Sequence, residues 1–358
     1  MSATSIEVRT GHPYKVHIGH GLLDEIGALT TKVHRPCQVM IVSDTNVAPL
    51  YLARVKGSLT DAGYRVLESV VPGGEASKSF AVLEKLMNDW SLVGLHRSDL
   101  VVALGGGVVG DLAGFAASCY QRGVPFIQVP TTLLAAVDSS VGGKTAIDID
   151  AGKNLVGAFY QPIAVFCDVD LIATMDEAYF TDGVAESIKY GVLHDPALFD
   201  RLAAKRLTKN AKDLAEIVAG CVAYKNDIVS ADEFEKGTRQ LLNLGHTFAH
   251  AIEQLSDYTT SHGQAVAAGL AMMARASQRK GWCSAHTVRR IEAALRENRL
   301  PLSTDYAVDD ILAVCRRDKK AGASAITIVV PHTIGECVLR TVDYDALREL
   351  IVLGKEPL

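Results

Sequence analysis

In the first half of the chain, short apolar runs alternate with stretches of helical periodicity. The runs CQVMIVSD, YRVLESVV, DLVVALGGG and VPFIQVP are rich in β-branched residues. Between them stand segments such as NVAPLYLARVKGSL and FAVLEKLMNDWSLVG, which have the character of helices. Strands that alternate with helical segments predict crossover connections and a largely parallel sheet. The N-terminal half is therefore predicted to be an α/β, Rossmann-like domain.

After about Leu171 the pattern changes to one of successive helices. Between Asp176 and Arg316, long stretches carry apolar residues at three- and four-residue spacing, which indicates helix after helix. A late apolar pair on either side of Gly335, AITIVV and ECVLRTV, predicts one small hairpin. A chain of 358 residues is too long for one small core. We therefore expect two domains with a cleft between them.

The overall composition narrows the class of partner. The chain is 48% hydrophobic and 22% charged, with a net charge of −5. This is typical of a globular protein and argues against a nucleic-acid or membrane-surface partner, since either favours a basic face. No run approaches eighteen apolar residues, and MSATSIEVRT lacks a basic segment before an apolar one, so we expect a cytoplasmic protein. The seven scattered cysteines indicate reduced thiols.

A glycine-rich turn stands between a predicted strand and a predicted helix in LVVALGGGVVGDLAGFAASC. Gly105, Gly107 and Gly110 match the dinucleotide-binding fingerprint, in which glycines let the backbone approach a pyrophosphate at a helix N-terminus. The same pattern is at least as often structural. The turn also follows earlier strands instead of opening the sheet, and Val129-Pro130-Thr131, about twenty residues later, supplies no acid for a ribose. The fingerprint alone therefore leaves a nucleotide site open.

We expect a nucleotide site assembled from several strand ends. Asp44, at the end of IVSDTN, and Asn46 are predicted to lie toward the adenosine, and the glycine turn with Asp111 toward the phosphates. The loop GGEASK, which follows VVP, is expected to form one side of this site. As a single residue, Asp44 is more often an acid that caps a helix or a turn.

Three histidines and one glutamate predict a metal site in the helical half. LLNLGHTFAHAIE places His246 and His250 four residues apart on one helical face, and His262 follows sixteen residues after His246. Spacing alone favours His246 and His250 as a ligand pair, by analogy with two-histidine zinc helices. Glu186 in GVAESIKYG adds a carboxylate, with Lys189 on the same side of the helix. A single Glu and Lys in this arrangement is more commonly an exposed ion pair.

Basic residues stand in several glycine-bearing segments and ahead of the histidine helix. In an acidic chain, cations that converge on one cleft suit a substrate with both a phosphate and a carboxylate. Taken singly, each is more often a solvated surface residue. The cations are Arg122, Lys144, Lys153, Lys225, Arg239 and Lys320.

Taken together, these motifs resemble the 3-dehydroquinate synthase family. The resemblance rests on LVVALGGGVVGDLAGFAA, GVPFIQVPTTLLAAVDSSVGGKTAID, GKNLVGAFYQP, GVAESIKYG, LLNLGHTFAHAIE and SHGQAVAAG, which cover most of the chain in order. It implies conversion of 3-deoxy-arabino-heptulosonate 7-phosphate to 3-dehydroquinate and phosphate, in the shikimate pathway toward aromatic amino acids. The implied course is transient oxidation by NAD, β-elimination of phosphate, re-reduction, ring opening and intramolecular aldol closure.

The resemblance also implies roles for individual residues. Glu186, His246 and His262 would bind a divalent metal, zinc or cobalt, with His250 turned to the substrate phosphate. The implied catalytic residues are Lys144, Lys153, Asp138, His250 and Lys189. The implied substrate-binding residues are Arg122, Asn154, Lys225, Arg239, Asn243 and, of the pair Lys319 and Lys320, the second. The implied NAD-binding residues are Asp44, Asn46, Gly73, Gly74, Glu75, Ala76, Ser77, Lys78, Gly106, Gly107, Val108, Val109, Gly110, Asp111, Thr131, Thr132, Asp138, Lys144, Lys153, Leu171 and Thr174.

The expected architecture follows from these assignments. It is an α/β Rossmann-like nucleotide-binding domain at residues 1–175 and a mainly α-helical metal- and substrate-binding domain at residues 176–358, with the active site in the cleft between them. The resemblance implies a homodimer that acts on a small phosphorylated sugar acid. The sequence departs from the family at Gln264, where Glu is common, and at Asp148, where Asn is common. These departures bear on the outer-shell groups that orient histidine ligands.

Two other functions are open at this point. A metal-dependent NAD alcohol or polyol dehydrogenase has a similar fold, but typically has Asp as its first metal ligand and serine after the glycine triplet, where this chain has Glu186 and Val108. The second is another sugar phosphate cyclase, acting on a neutral or amino sugar.

A substrate with two anionic ends needs two cationic receptors. Lys225 and Arg239 are predicted to bind the carboxylate. Lys144, His250 and Asn154 are predicted to bind the phosphate.

Overall fold

The computed structural model describes residues 3–317 and 324–357. It divides into two compact units, the first formed by Met1–Met175 and Lys212–Phe234, the second by Asp176–Ala211 and Glu235–Leu358. We expected one boundary, between residues 175 and 176. The structure has a boundary there and, in addition, groups Lys212–Phe234 with the first unit.

The strands are numbered in chain order over the described residues. They are β1 (Thr4–Val8), β2 (Tyr14–Gly19), β3 (Gln38–Asp44), β4 (Arg65–Val71), β5 (Leu100–Gly105), β6 (Phe126–Pro130), β7 (Lys144–Ile149), β8 (Gly152–Phe159), β9 (Ala164–Asp168), β10 (Ala325–Thr333) and β11 (Glu336–Asp343).

The α-helices are numbered in the same way. They are α1 (Ile26–Thr30), α2 (Ala48–Asp61), α3 (Phe80–Leu92), α4 (Gly107–Cys119), α5 (Glu177–Leu193), α6 (Pro196–Ala204), α7 (Leu214–Ala231), α8 (His246–Leu255), α9 (His262–Arg279), α10 (Ala285–Glu297), α11 (Val308–Cys315) and α12 (Tyr344–Lys355). Short 3-10 turns occupy Glu75–Ser77, Tyr120–Arg122, Val169–Thr174 and Thr238–Asn243, and a π-helical turn occupies Ala135–Ser139.

The first unit is built on one sheet with the strand order β1-β2-β9-β6-β5-β3-β4. From β2 to β4 every neighbouring pair is parallel, whereas β1 pairs antiparallel with β2. The strands β7 and β8 form a separate antiparallel pair. The parallel sheet confirms the α/β fold expected for this half of the chain.

Both faces of this sheet are covered, because successive strand residues point to opposite sides. In β3, Met40 and Val42 pack in a core with Trp90 of α3 and with α4. The intervening Val39 and Ile41 pack in a second core with α1 and α2. A strand buried on both faces needs an unbroken apolar run, which explains the consecutive apolar residues VMIV within CQVMIVSD.

The carboxyl ends of parallel strands meet at one edge of the sheet, the edge where ligands bind in open α/β sheets. Asp44 ends β3, Gly105 ends β5 just before the glycine turn, and Thr131 follows β6. The topology therefore brings three of the segments predicted to bind a nucleotide to the same edge.

The second unit is helical and carries one hairpin. Its core is formed by α8, α9, α11, α12 and the buried face of β10. The strands β10 and β11 are antiparallel and turn at Gly335, which has a φ of 93°. The structure thus confirms both the helical character of this region and the late hairpin.

Two general expectations can be compared with the described residues. All seven cysteines are free thiols, of which Cys167, Cys221 and Cys315 are buried and Cys119 is exposed. Across residues 3–317 and 324–357, none of the helices combines the length and the apolar composition that crossing a bilayer requires.

Candidate functional site

Helix α5 carries Glu186 into the interior of the second unit. Every residue from Asp182 to Leu193 is buried, and helix α9 approaches closely because Gly263 has no side chain. A Cβ at Gly263 would lie 2.2 Å from the Cα atom of Asp182. A fully buried carboxylate needs cationic partners. One is Lys189, itself buried, whose ammonium group forms an ion pair with Oε2 of Glu186, so this is not the exposed pair that the spacing alone suggested.

Helix α8 brings His246 to the same carboxylate. Gly245, in the left-handed conformation with a φ of 78°, precedes the helix. Nε2 of His246 lies 3.5 Å from Oε1 of Glu186, and Nδ1 lies 3.1 Å from the carbonyl oxygen of Leu244. Nδ1 therefore carries the proton in the neutral ring, and Nε2 presents its lone pair. Burial, followed by the charge of Lys189, lowers the pKa of His246 well below its ordinary value, which favours the neutral form that binds metals.

His262, the first residue of α9, lies between two carboxylates. Its Nε2 is 3.2 Å from Oε1 of Glu186, and its Nδ1 is 3.4 Å from Oε1 of Glu253. Burial lowers the pKa of His262, but hydrogen bonds to Glu186 and Glu253 outweigh this effect and raise the pKa to about 10. The surroundings of Nε2 therefore favour a positive charge, either a proton or a metal cation.

These three side chains form a compact donor set. One donor atom each from Glu186, His246 and His262 lies within 4.8 Å of the others. One carboxylate oxygen with two imidazole nitrogens suits zinc or cobalt, and three protein ligands leave positions open for substrate oxygens. Within the described residues, the set contains no atom of His250. The His250 ring is exposed and lies one turn further along α8, 5.5 Å from the His246 ring.

Two buried acids near this donor set were not expected from the sequence. Glu253 lies two turns after His246 on α8, and Asp182 lies one turn before Glu186 on α5. Ser261 donates its hydroxyl to Oδ1 of Asp182 at 2.5 Å. Residues one or two turns apart share a helical face, so a search for acids at these spacings from each ligand would have found both.

The other predicted residues of the second unit differ in exposure. Arg239 is buried, at 1% exposure. It is therefore not a solvated surface residue, which is the commoner situation for an isolated arginine. Asn243 is partly buried and donates from Nδ2 to Oε1 of Glu235 at 2.9 Å. Lys320, with its neighbour Lys319, lies outside the described residues.

In the first unit, residues predicted to bind NAD and substrate meet at the buried Lys78. Its ammonium group lies 2.8 Å from Oδ2 of Asp111 and 3.6 Å from Oε1 of Glu75, and it donates to Oδ1 of Asn154. Oδ1 of Asp148 lies 3.9 Å away, so this departure from the family adds a negative charge to the group. Burial lowers the pKa of Lys78, but Asp111 and Glu75 outweigh it and raise the pKa, so Lys78 stays protonated.

Asn154 holds its place in this group with an unusual backbone. Its φ is 55°, and its N–H donates to Oδ1 of Asp148 at 2.8 Å. A left-handed conformation costs a residue other than glycine about 1–3 kcal/mol and is found disproportionately at functional sites. Nζ of the neighbouring Lys153 lies 3.6 Å from Oε1 of Glu75. The hairpin residues 153 and 154 are thus tied to the GGEASK loop.

The glycines of the fingerprint have different roles. A Cβ at Gly105 would lie 2.6 Å from the Val109 side chain, and one at Gly110 would lie 2.5 Å from Oε1 of Gln128, so these two glycines are needed for packing. Val109 is fully buried. In contrast, Gly106, Gly107 and Val108 stay partly exposed where α4 begins. Backbone N–H groups at a helix N-terminus favour a phosphate.

Asp44 stabilises the turn that follows β3, which is the common role of a single acid at such a position. Its Oδ1 accepts hydrogen bonds from the N–H groups of Asn46 at 2.8 Å and Val47 at 3.0 Å. Asn46 is exposed and lies against Gly73, where a Cβ would be 2.2 Å from its Nδ2. Asp44 therefore shapes this loop through one carboxylate oxygen, and in the described part of the chain its Oδ2 accepts no hydrogen bond.

The remaining predicted NAD residues line neighbouring loops. In the GGEASK loop Ser77 is buried, whereas Gly74 and Ala76 are exposed. The hydroxyl of Thr131 is buried and has no hydrogen-bond partner within residues 3–317 and 324–357. The Thr132 hydroxyl accepts from the N–H of Ala135 at 3.2 Å. The last two predicted residues, Leu171 and Thr174, both contact Tyr51. The Tyr51 hydroxyl donates to the carbonyl oxygen of Leu171 and forms a hydrogen bond with the hydroxyl of Thr174.

Helix α7 links a predicted substrate residue to a predicted NAD residue. Nζ of Lys225 donates to the carbonyl oxygen of Asp138 at 2.6 Å and to its Oδ1 at 2.8 Å. Lys144, at the start of β7, and Arg122, with a φ of 64°, are both exposed. The described contacts of the first unit therefore form two groups, one around Lys78 and one around Asp138.

Comparison with known proteins extends over both units. Two family models match, "3-dehydroquinate synthase N-terminal" over residues 68–182 and "3-dehydroquinate synthase C-terminal" over residues 183–321. A 3-dehydroquinate synthase from Nitrosococcus oceani is 45% identical over 91% of this chain and 92% of its own length. One from Shewanella denitrificans is 45% identical over 97% and 98%.

One solved structure is similar throughout its length. It is a 2-deoxy-scyllo-inosose synthase complexed with carbaglucose-6-phosphate, NAD+ and Co2+, with a TM-score of 0.86 and 25% sequence identity. The match covers 97% of this chain and 99% of the other. The similarity is therefore one of whole chains and does not depend on a single motif.

Proposed function

The chain belongs to the 3-dehydroquinate synthase family, and from this premise we propose that it converts 3-deoxy-arabino-heptulosonate 7-phosphate to 3-dehydroquinate and phosphate. The observation that carries the proposal is the donor set of Glu186, His246 and His262 in a chain 45% identical to a 3-dehydroquinate synthase over 97% of its residues. The enzyme is a phosphate-eliminating carbon–oxygen lyase of the shikimate pathway. It acts in the cytoplasm as a homodimer, as the resemblance to the family implies.

The two cofactors are assigned to separate residues. A divalent metal, zinc or cobalt, held by Glu186, His246 and His262, supplies a Lewis acid that acidifies a substrate hydroxyl. NAD, held by residues of the first unit, supplies a reversible hydride acceptor, so that the overall reaction involves no net oxidation. Support comes from the 2-deoxy-scyllo-inosose synthase structure, which holds NAD+ and Co2+.

Around the metal, this chain's own residues set charge and protonation. Lys189 neutralises part of the Glu186 charge, so the buried site tolerates a carboxylate. The carbonyl of Leu244 fixes the tautomer of His246, and Glu253 accepts from His262. His250, exposed beside this set, offers an imidazole to the substrate phosphate.

In the first unit, the nucleotide is held by charge and by backbone donors. The N–H groups at the start of α4 bind a phosphate, and Lys78 balances the acids around it. The buried hydroxyl of Thr131 is suited to donate to a phosphate or ribose oxygen, and the Oδ2 atom of Asp44 is suited to accept from a ribose hydroxyl. These assignments follow the resemblance to the family.

We expect phosphate release to require NAD but not to consume it, because the elimination needs a ketone only transiently. Purified protein with trace NAD should continue to release phosphate well beyond one equivalent of the nucleotide. Phosphate, 3-dehydroquinate and nicotinamide absorbance are followed together in one assay. NADH that accumulates in step with phosphate would contradict the proposal and favour a metal-dependent alcohol or polyol dehydrogenase.

Arg239 is expected to distinguish this substrate from that of a sister cyclase. Charge-assisted hydrogen bonds contribute about 1.5–3 kcal/mol each, so Arg239→Met should weaken binding of the carboxylated substrate by about 10- to 100-fold. Methionine keeps apolar volume at a buried position and removes the charge. The measurement is kcat/KM for the substrate and for an analogue that lacks the carboxylate.

The control for this variant is Arg275→Met, which removes another buried arginine of the same unit. Arg275 pairs with Glu292 at 2.5 Å in a structural contact between α9 and α10, so its loss should lower stability without changing the preference for the carboxylate. If Arg239→Met and the wild type discriminate equally between the two compounds, the carboxylate assignment fails.

A further inference from the structure

We infer that Asp182 is a positioning residue that fixes the N-terminus of α9, and through it His262, relative to Glu186. The inference rests on the proposed metal site, because His262 and Glu186 are two of its three ligands. Asp182 itself is not a member of the donor set. It acts on the metal only through the backbone of another helix.

Asp182 ties the residue that precedes α9 to helix α5. Its side chain is buried, and its Oδ1 accepts a hydrogen bond from the hydroxyl of Ser261 at 2.5 Å. Gly263, the second residue of α9, packs so closely against α5 that a Cβ there would lie 2.2 Å from the Cα atom of Asp182. The start of α9 is therefore held by Asp182 from a neighbouring helix.

The residue that precedes α9 does not cap this helix with its own side chain. Ser261 precedes α9 and is of a type that commonly caps helices, yet its side chain accepts no hydrogen bond from the helix. It donates to Asp182 instead. The start of α9 is thus held by a tertiary contact to α5, and the position of His262 depends on that contact.

The same helix supplies the cap and a ligand. Asp182 and Glu186 are one turn apart on α5, about 6 Å along a rigid helix axis, so both are fixed in a common frame. Glu253 fixes the ring of His262, and Asp182 fixes its backbone. Removing Asp182 should therefore change the geometry of the donor set as well as the stability of the unit.

This arrangement also explains why glutamine is tolerated at position 264. The side chain of Gln264 is exposed, and the hydrogen bond to Asp182 is donated by the hydroxyl of Ser261. That contact is independent of whether residue 264 carries an amide or an acid. The outer-shell carboxylates of the described site are Asp182 and Glu253.

The test compares Asp182→Ala with Asp195→Ala. Asp195 holds the N-terminus of α6 in the same unit by accepting from the N–H groups of Ala197 and Leu198 at 3.0 Å, so it is an aspartate at a helix N-terminus whose described hydrogen bonds involve none of the donor set. Cobalt affinity is measured by competition with a chelator, and the visible spectrum of bound Co2+ reports the ligand geometry. We expect Asp182→Ala to bind Co2+ about 10- to 100-fold more weakly with an altered spectrum, and Asp195→Ala to match the wild type in both.

Two further variants complete the experiment. Asp182→Asn keeps an oxygen acceptor for the Ser261 hydroxyl and should recover most of the affinity. Ser261→Ala removes one partner of the same carboxylate and should shift affinity and spectrum in the direction of Asp182→Ala, which provides a test even where that variant does not fold.

The outcomes separate this inference from the proposed function. Wild-type protein that binds no Co2+ would refute the metal site itself and this inference with it. Tight wild-type binding that is matched by folded Asp182→Ala, with an unchanged spectrum, would refute the positioning role alone. The same conclusion would follow if Asp182→Ala and Asp195→Ala weakened Co2+ binding to the same extent.

Discussion

Alanine in place of Glu186, His246 or His262, each changed singly, is expected to abolish tight metal binding and to lower kcat/KM by more than about 1,000-fold. Lewis-acid stabilisation of a developing oxyanion contributes several kcal/mol, and about 4 kcal/mol corresponds to a factor of roughly 1,000 in rate. The three donor atoms lie within 4.8 Å of one another, so one ion can contact all three and each substitution removes one of its ligands. Metal content after dialysis and kcat/KM are measured for each variant.

His250→Ala is the matched control for this series. It removes an imidazole from the same helix, one turn from His246, but none of the three donor atoms. We expect stoichiometric metal in this variant together with weaker binding of the substrate phosphate. Stoichiometric metal in His262→Ala, with loss only in His250→Ala, would show that spacing along α8, and not the packing of α8 on α9, selects the ligands.

Replacing Lys78 by methionine is expected to lower the free energy of unfolding of the first unit by about 3–5 kcal/mol. The Lys78 side chain is 3% exposed, and its ammonium group lies among Asp111, Glu75 and Asp148. Removal of one partner from a buried ion pair leaves uncompensated charge. Unfolding in urea is followed by the fluorescence of Trp90, buried in the core of this unit, with Trp282 of the second unit replaced by phenylalanine.

The control for this variant is Lys85→Met in the neighbouring helix. Lys85 pairs with Asp89 at 2.6 Å but is 74% exposed, and exposed pairs contribute at most about 1 kcal/mol. An equal loss of stability in the two variants would show that the group around Lys78 behaves as a surface ion pair.

The destabilisation in Lys78→Met should grow as the pH rises. Burial raises the pKa of Asp111, and the charge of Lys78 opposes this rise, so the pKa increases further in the variant. A carboxyl group with a raised pKa in the folded state stabilises the fold below its ordinary pKa, and this contribution is lost as the pH rises through the folded value. The difference between wild type and variant should be smallest near pH 4, the ordinary pKa of Asp, and largest at neutral pH.

The fold was largely predictable because both kinds of periodicity are strong in this chain. The centre of CQVMIVSD, VMIV, is apolar at four successive positions, as expected for a strand covered on both faces. The segment AKDLAEIVAGCVAYKNDIV correctly predicted helix α7, and Leu214, Ile217 and Cys221 form its buried face. Periodicity shows that a face is buried but not what covers it. The grouping of α7 with the first unit therefore could not be inferred from the pattern.

The candidate site was predictable to a smaller extent from spacing alone. Periodicity correctly places His246 and His250 on neighbouring turns of one helix, but the donor set joins His246 to His262 on another helix. That approach depends on contacts between distant segments, such as Gly269 lying so close to Gly245 that a Cβ would be 2.2 Å from its carbonyl oxygen. Family resemblance suggested the ligand set, whereas the outer carboxylates Asp182 and Glu253 emerged only from the three-dimensional structure.

The grouping of α7 with the first unit has a consequence for how this protein is synthesised. The chain passes from one unit to the other after residues 175, 211 and 234. Helix α7 contacts β1 and β2, so these two strands are synthesised before a packing partner that follows α5 and α6 of the other unit. Domains usually complete their folding in order of synthesis. Here a single division of the gene at any of these crossings leaves at least one unit without one of its segments, so no single cut yields two halves that each encode one complete unit.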